Sequence, residues 1–261
     1  PPGSTFKILT AMEYMRENPS FDKYRYECSG SDTFGGNVIR CYNGEHHGTV
    51  DLKSSLAHSC NGSFAHIGVG LNRKSYRKLC EAFGFNSSLG VKFVSSRSRF
   101  VLDEKSDTAE AAQTAIGQGK TTITPLQNAL ISATIANDGV MMTPYLVDHT
   151  ESVDGHVVKK YEPQEKRTVI SRKRANQVTR MMRSVVSDGT AAALRNLSYP
   201  VAGKTGTAEI DSEGTSHAWF VGFAPAADPK IAVSVIVEGA GTGSQYAVPI
   251  AAKMLEEYLG N

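Results

Sequence analysis

A serine and a lysine stand three positions apart at the beginning of the chain, in the run Ser4-Thr5-Phe6-Lys7. Apolar residues at helical spacing predict a helix from Ser4 to Glu17, which places Lys7 on the same face as Ser4. A serine hydroxyl becomes a nucleophile when a base removes its proton, and lysine is such a base once burial lowers its pKa. Free N–H groups at a helix N-terminus also face a developing oxyanion. The pair therefore predicts a nucleophilic serine with its own base.

A second run, Ser59-Cys60-Asn61, falls on a turn between helices predicted at residues 51–57 and 62–70. The Ser59 hydroxyl can pass a proton to a leaving amine. The Asn61 side chain can hold a substrate amide because it both donates and accepts hydrogen bonds. We therefore expect Ser59 and Asn61 to act beside the nucleophile.

A third run, Lys204-Thr205-Gly206-Thr207, lies in the first of three strands predicted at residues 201–210, 217–223 and 231–238. An edge strand can pair with an extended peptide, and Gly206 has no side chain to block that approach. Lys204 and the two threonines offer hydrogen-bond donors to a carboxylate. The run therefore predicts a site that binds a peptide and its terminal carboxylate.

The remaining pattern places helices before the strands and one helix after them. Short links between the three strands predict antiparallel pairing rather than a parallel sheet. Residues 18–50 are predicted to be rich in loops, and residues 141–161 to form a hairpin that turns at Asp154-Gly155. A long amphipathic helix is predicted at residues 171–187.

Each of the three runs occurs alone by chance in many proteins, whereas their combination in this order is specific. The chain resembles the transpeptidase domain of penicillin-binding proteins of class B. The stretches that carry the resemblance are Pro1-Pro2-Gly3-Ser4-Thr5-Phe6-Lys7, His58-Ser59-Cys60-Asn61, Ala115-Ile116-Gly117-Gln118-Gly119, Thr124-Pro125-Leu126-Gln127, and residues 202–209 and 217–225.

The resemblance implies an α+β fold of the β-lactamase/transpeptidase type, with an antiparallel sheet flanked by helices. In this family a helix and two strands of the sheet precede the nucleophile, and here only three residues do. We therefore expect residues 1–261 to be a single transpeptidase domain that lacks these N-terminal strands. The strand at 231–238 should then have an unpaired edge where they belong.

The resemblance also implies a reaction. Ser4 would attack the D-Ala–D-Ala bond of a peptidoglycan stem peptide, D-Ala would leave, and an amine of a neighbouring stem would resolve the acyl-enzyme. β-Lactams would acylate the same serine. Lys7 would be the base, Ser59 would protonate the departing nitrogen, and the N–H groups of Ser4 and Thr207 would form the oxyanion hole. Lys204, Thr205 and Thr207 would bind the terminal carboxylate.

Rival functions remain open at this point. A serine β-lactamase shares the motifs, but no Glu-x-x-Leu-Asn stretch follows Asn61, as it does in class A enzymes. A D,D-carboxypeptidase, which uses water as the acceptor, and a non-enzymatic β-lactam sensor domain carry the same motifs. The run from Gly117 to Thr121 resembles a phosphate-binding loop, but Thr114 stands where that loop requires glycine.

A net charge of +2 gives no indication of a nucleic-acid partner. No stretch approaches the ~18 apolar residues of a membrane span. The resemblance implies a parent protein with an N-terminal membrane anchor, on the extracytoplasmic face of the bacterial membrane and associated with the cell-wall synthesis machinery. It implies no cofactor for catalysis.

Four residues have the spacing of a metal site, Cys28-x12-Cys41-x5-His47-x12-Cys60, and each suits tetrahedral zinc. Some elongation-type penicillin-binding proteins resemble this arrangement, with acidic residues in place of Cys28 and Cys41. A Cys28–Cys41 disulfide is the first alternative, with Cys60 and Cys80 as free thiols. Four reduced thiols are the second.

Overall fold

A sheet of three strands in the C-terminal third organises the fold. The computed structural model describes residues 1–91, 95–211 and 214–260. In these ranges the helices are α1 (Lys7–Glu17), α2 (Leu52–Ala57), α3 (Asn61–Gly70), α4 (Arg73–Ala82), α5 (Thr108–Ala115), α6 (Pro125–Ala136), α7 (Arg172–Ser187) and α8 (Val248–Leu259). The strands are β1 (Tyr26–Cys28), β2 (Ser31–Phe34), β3 (Asn37–Arg40), β4 (Gly48–Val50), β5 (Val140–Met142), β6 (His149–Glu151), β7 (Val157–Lys160), β8 (Glu165–Thr168), β9 (Ala202–Glu209), β10 (Ser216–Ala224) and β11 (Ile231–Val237).

The sheet has the order β11-β10-β9, and both outer strands run antiparallel to β10. Strand β10 is buried on both faces, as its apolar run Trp219, Phe220 and Val221 requires. Helices α6 and α8 pack against β10 and β11, and α7 packs against β9. The predicted α+β fold, with a helix-flanked antiparallel sheet, is therefore confirmed.

Strand β11 forms one edge of this sheet. Its inner side pairs with β10 from Ile231 to Val237, and in the described part of the chain no strand pairs with its outer side. The unpaired edge expected for this strand is thus present. The backbone N–H and C=O groups along such an edge can bind another extended segment.

The helix predicted from Ser4 begins with a tighter turn. Residues Gly3–Phe6 form a 3₁₀ turn that continues directly into α1. Gly3 has a φ of +54°, and a Cβ at this position would lie 2.6 Å from the carbonyl oxygen of Thr207. Glycine alone tolerates both the dihedral and the approach. The run from Ser4 to Lys7 therefore packs directly against strand β9.

The polar regions contain strands that the sequence did not predict. Residues 18–50 contain two small antiparallel pairs, β1 with β4 and β2 with β3, between the expected loops. These strands have three or four residues and are mostly exposed, so no apolar alternation marks them. The hairpin predicted at 141–161 is limited to β6 and β7, whereas β5 pairs with β8 further along the chain.

The buried apolar residues form one main cluster that includes side chains of α1, α2, α7 and the sheet. Cys28, Cys41 and Cys60 belong to a second, small cluster with Val50. None of the helices in the described ranges combines the length and the apolar composition needed to cross a bilayer.

A matched pair of leucines tests this packing. Leu56 is fully buried on α2, which packs against α7, whereas Leu146 is 77% exposed. We expect Leu56→Ala to lower the free energy of unfolding by about 2–5 kcal/mol, because it leaves a cavity. Leu146→Ala should change it by less than about 0.5 kcal/mol. The midpoints of urea unfolding, compared at an equal dependence of the free energy on urea, measure both changes. Equal losses of stability in the two variants would contradict the placement of Leu56 in the core.

Candidate active site

The first two motifs meet at Lys7, which has no exposed surface. Its Nζ donates to the carbonyl oxygen of Ser59 and to Oδ1 of Asn61, at 2.6 Å each, and lies 3.1 Å from the Ser59 hydroxyl oxygen. Burial lowers the pKa of Lys7 to about 8, because a surrounding of low dielectric disfavours the charged amine. A substantial fraction of Lys7 is therefore neutral close to physiological pH.

Ser4 lies in the 3₁₀ turn that precedes Lys7 and is half-buried. The backbone beside it is fixed, because the Gly3 N–H donates to the carbonyl oxygen of Gly117 at 2.9 Å. A Cβ on Gly117 would lie 1.9 Å from the Gly3 carbonyl oxygen, so only glycine fits there. The glycine run that resembles a phosphate loop thus packs behind the backbone next to Ser4.

Ser59 occupies an unusual backbone conformation, with a φ of +57°. Left-handed dihedrals are uncommon for residues other than glycine and raise the energy of the folded state by about 1–3 kcal/mol. In this conformation both the carbonyl oxygen and the hydroxyl of Ser59 face Lys7. The strained turn between α2 and α3 therefore presents two oxygens of one residue to the buried amine.

The third motif joins the site through Lys204, which is also fully buried. Its Nζ lies 3.0 Å from the Ser59 hydroxyl oxygen and 3.0 Å from the Thr205 carbonyl oxygen. Burial, together with repulsion from Lys7, lowers the pKa of Lys204 well below its usual value. Two buried amines therefore flank a single serine hydroxyl.

Asn61 is oriented from two sides. Its Oδ1 accepts from Lys7, and its Nδ2 donates to the carbonyl oxygen of Arg40 at 2.7 Å. The second hydrogen on Nδ2 takes no part in either contact. Since Arg40 ends β3 and precedes Cys41, the small β2–β3 sheet determines which way the Asn61 amide points. The amide hydrogen that remains can donate to a substrate carbonyl.

Strand β9 is the second edge of the sheet and carries Thr205, Gly206 and Thr207. A Cβ on Gly206 would lie 3.0 Å from side-chain atoms of Thr5 and Trp219, so the missing side chain makes room for the run from Ser4 to Lys7. Gly206 and Gly3 together allow the first and third motifs to touch.

Thr190, which follows the end of α7, belongs to the site but is not marked by any motif in the sequence. Its hydroxyl oxygen lies 2.5 Å from the hydroxyl oxygen of Thr205. Asp188-Gly189 at this point indicates only the end of a helix, and no periodicity relates Thr190 to β9. The contact depends on the packing of α7 against β9, which the sequence does not specify.

Cys28, Cys41, His47 and Cys60 come together, as their spacing predicted. The Sγ atoms of Cys28 and Cys41 are 3.6 Å apart, those of Cys41 and Cys60 are 3.8 Å apart, and Nδ1 of His47 is 3.4 Å from Cys28 Sγ. All four ligand atoms lie within 4.8 Å of one another. Four ligands around a tetrahedral zinc at ~2.3 Å from sulfur have S···S separations of ~3.8 Å. The cluster could therefore bind a metal.

The state of the thiols fits the same conclusion. All four cysteines are free, so the alternative of a Cys28–Cys41 disulfide is not what the structure contains. The hydrogen bond between the thiols of Cys41 and Cys60 lowers the pKa of Cys41, with help from backbone N–H groups of Gly62 and Asn61, and raises the pKa of Cys60, so Cys41 is the one of this pair that loses its proton first. Metals bind the thiolate form. Cys80 is buried apart from this cluster.

Comparison with protein families gives a match along nearly the whole chain. Residues 1–256 match the penicillin binding protein transpeptidase domain. The peptidoglycan D,D-transpeptidase PbpA of Mycolicibacterium smegmatis is 33% identical over 96% of this chain and 53% of the relative. This chain therefore spans about half the length of that curated relative.

Solved structures agree with this match. The D,D-transpeptidase domain of a peptidoglycan glycosyltransferase from Eggerthella lenta has a TM-score of 0.91 and 29% identity over 99% of this chain and 66% of that one. Penicillin-binding protein A from M. tuberculosis, solved as a penicillin G acyl-enzyme complex, has a TM-score of 0.90 and 30% identity over 99% of this chain and 61% of that one. On the family match and these structures, the chain belongs to the penicillin-binding protein transpeptidases.

Proposed function

We propose that this chain catalyses D,D-transpeptidation of peptidoglycan through an acyl-enzyme at Ser4, and that β-lactams acylate the same residue. One observation carries the proposal: Lys7 of the first motif and Lys204 of the third both contact the hydroxyl of Ser59 in the second. Three runs that are distant in the sequence thus form one proton-transfer network next to a serine at the start of a helical segment.

Lys7 is the base that activates Ser4. A neutral amine has two hydrogens and one lone pair, and two carbonyl oxygens, of Ser59 and Asn61, each accept a hydrogen from Nζ at 2.6 Å. The lone pair is then left for the Ser4 proton. Oγ of Ser4 bonds to the carbonyl carbon of the D-Ala–D-Ala bond while Lys7 takes that proton.

Ser59 completes the proton transfer. As the C–N bond breaks, Ser59 donates its hydroxyl proton to the leaving nitrogen and recovers one from Lys7, whose Nζ is 3.1 Å away. D-Ala departs, and an amine of a neighbouring stem peptide attacks the ester carbonyl carbon. Lys7, neutral again, takes the proton of this amine and gives it to Oγ of Ser4 as the ester C–O bond breaks, which restores Ser4. Lys204 keeps the Ser59 hydroxyl in place from the other side.

The remaining residues bind and orient the peptide. The backbone N–H groups of Ser4 and Thr207 form the oxyanion hole, and the contact between Gly3 and Thr207 supports this by holding the two segments together. Thr205, Thr207 and Lys204 bind the terminal carboxylate. Asn61 holds a substrate amide through its second Nδ2 hydrogen.

The domain and its setting follow from the same proposal. Residues 1–261 act as one transpeptidase domain, which the single main core supports. The parent protein works on the extracytoplasmic face of the bacterial membrane, with stem peptides and β-lactams as ligands and the cell-wall synthesis machinery as its partner. A transpeptidase forms a cross-linked product in which the stem peptide is joined to the amine of a second stem. A β-lactamase would instead release hydrolysed penicillin, and a carboxypeptidase would release hydrolysed stem peptide.

The first test is the site of acylation. Incubation with penicillin G should add one adduct per chain, located by peptide mass spectrometry on Ser4, and Ser4→Ala should form none because the nucleophile is missing. Ser88→Ala, at an exposed serine, is the matched control and should be acylated normally. If the protein, tested with its natural flanking sequence, carried the adduct on a residue other than Ser4, the assignment of Ser4 would be wrong.

The second test is the pH dependence of acylation. Because the neutral form of Lys7 is the base and its pKa is lowered to about 8, the rate should rise with pH and level off above this value. Lys7→Arg, which stays charged, should acylate roughly 100-fold more slowly or worse. Lys253→Arg, on the exposed side of α8, should keep the wild-type profile. A normal profile in Lys7→Arg would mean that another group takes the proton.

We further propose that the cluster of Cys28, Cys41, His47 and Cys60 binds one structural zinc ion. The sulfur separations and the approach of all four ligand atoms to within 4.8 Å of one another support this. The other nitrogen of His47, Nε2, is buried and lies 3.6 Å from the Glu45 carboxylate, so Nδ1 is the nitrogen that faces the three sulfurs. The ion would tie the β1–β4 region to the turn that carries Ser59 and Asn61, without taking part in the reaction.

Metal analysis tests this second proposal. Protein purified without a histidine tag should contain one zinc per chain, and Cys28→Ser should lose it because one of four ligands is gone. Cys80→Ser is the control, since this buried thiol lies outside the cluster, and it should retain the metal. Four thiols that react freely and no bound metal would refute the site, as would two missing thiols and a Cys28–Cys41 disulfide.

A further inference from the structure

Thr190 contacts the residue to which carboxylate binding is assigned. Its Oγ1 lies 2.5 Å from Oγ1 of Thr205, and either hydroxyl can be the donor. Thr205 is 6% exposed, so its hydroxyl has little access to water. Thr190 itself is half-buried beside it. The pair is a short hydrogen bond at the edge of strand β9.

The position of Thr190 is set by the end of α2. The Thr190 N–H donates to the carbonyl oxygen of Ala57 at 3.2 Å. At the preceding residue, Gly189, a Cβ would lie 2.1 Å from the same oxygen, so only glycine lets this segment come so close. The N–H of Ala191 donates to the carbonyl oxygen of Val185 at 3.0 Å. The Thr190 hydroxyl is therefore presented to β9 by a rigid backbone rather than by a mobile loop.

When a carboxylate is bound to Thr205, the hydrogen bond between the two threonine hydroxyls can run in only one direction. Each hydroxyl has a single hydrogen to donate and can accept as well. If Thr205 donates its hydrogen to a carboxylate, which only accepts, the bond between the threonines requires Thr190 as the donor. Hydrogen bonds in such a chain polarise one another, so the Thr205 hydroxyl becomes a stronger donor.

We propose that Thr190 is a positioning residue for carboxylate recognition: it donates to Thr205 and thereby directs the Thr205 hydroxyl hydrogen to the terminal carboxylate of the stem peptide or β-lactam. This inference rests on the proposed function, in which Thr205 binds that carboxylate. Thr190 does not itself touch the reacting atoms. The effect of removing its hydroxyl should therefore depend on whether the ligand has a carboxylate. A purely structural role would affect all ligands equally.

The test compares acylation rates for a penicillin and for the methyl ester of the same penicillin. Thr190→Val removes the hydroxyl at nearly constant shape. It should slow acylation by the free acid about 3- to 10-fold, the effect of one lost hydrogen bond, and leave acylation by the ester unchanged. Thr190→Ser should restore the wild-type ratio. Thr179→Val, on α7 with its hydroxyl bonded to a helix carbonyl, is the matched control and should behave as wild type.

A second comparison uses the proposed partner. In a Thr205→Val background, Thr190→Val should cause no further loss for the free acid, because the hydroxyl through which it acts is gone. Equal slowing of acid and ester by Thr190→Val, or no slowing of either, would overturn the inference while Ser4 acylation in the wild type still stands. Failure of the wild type to form the Ser4 adduct would overturn the proposed function and this inference with it.

Discussion

The site depends on the burial of two lysines around one serine hydroxyl. Removing two amines from water is costly, and placing them next to each other adds repulsion, so both pKa values are lowered. The structure meets this cost with short hydrogen bonds to Ser59 and Asn61 and with the packing of the surrounding core. In the proposed mechanism the same cost makes Lys7 a usable base, because an exposed lysine would hold its proton.

Close backbone contacts bring the three motifs to this point. Gly3 touches β9, Gly117 touches Gly3, and Gly189 touches the end of α2, and at each contact a Cβ would overlap a carbonyl group. Helices α1, α2 and α7 and strand β9 are thereby fixed relative to one another with little room for adjustment. The precision of the site comes from these backbone approaches as much as from the side chains that react.

The sequence predicted most of the site and less of its surroundings. The sequence pointed to Lys7, Ser59, Asn61 and Lys204 because each belongs to a short run with its own chemistry. It pointed to the cluster of three cysteines and His47 because these residue types bind metals. Thr190 was missed, since its contact with Thr205 arises only when α7 packs on β9. The small strands of residues 18–50 were missed because exposed strands of three or four residues carry no periodic signal.

The left-handed backbone of Ser59 restricts how this enzyme can vary. Threonine carries the same hydroxyl and replaces serine without harm at many sites, but a β-branched residue is a genuine outlier at positive φ. Such an exchange would have to shift the turn, and with it the carbonyl oxygen that holds Lys7. Of the two residues that carry an aliphatic hydroxyl, the geometry of the turn therefore favours serine over threonine at position 59.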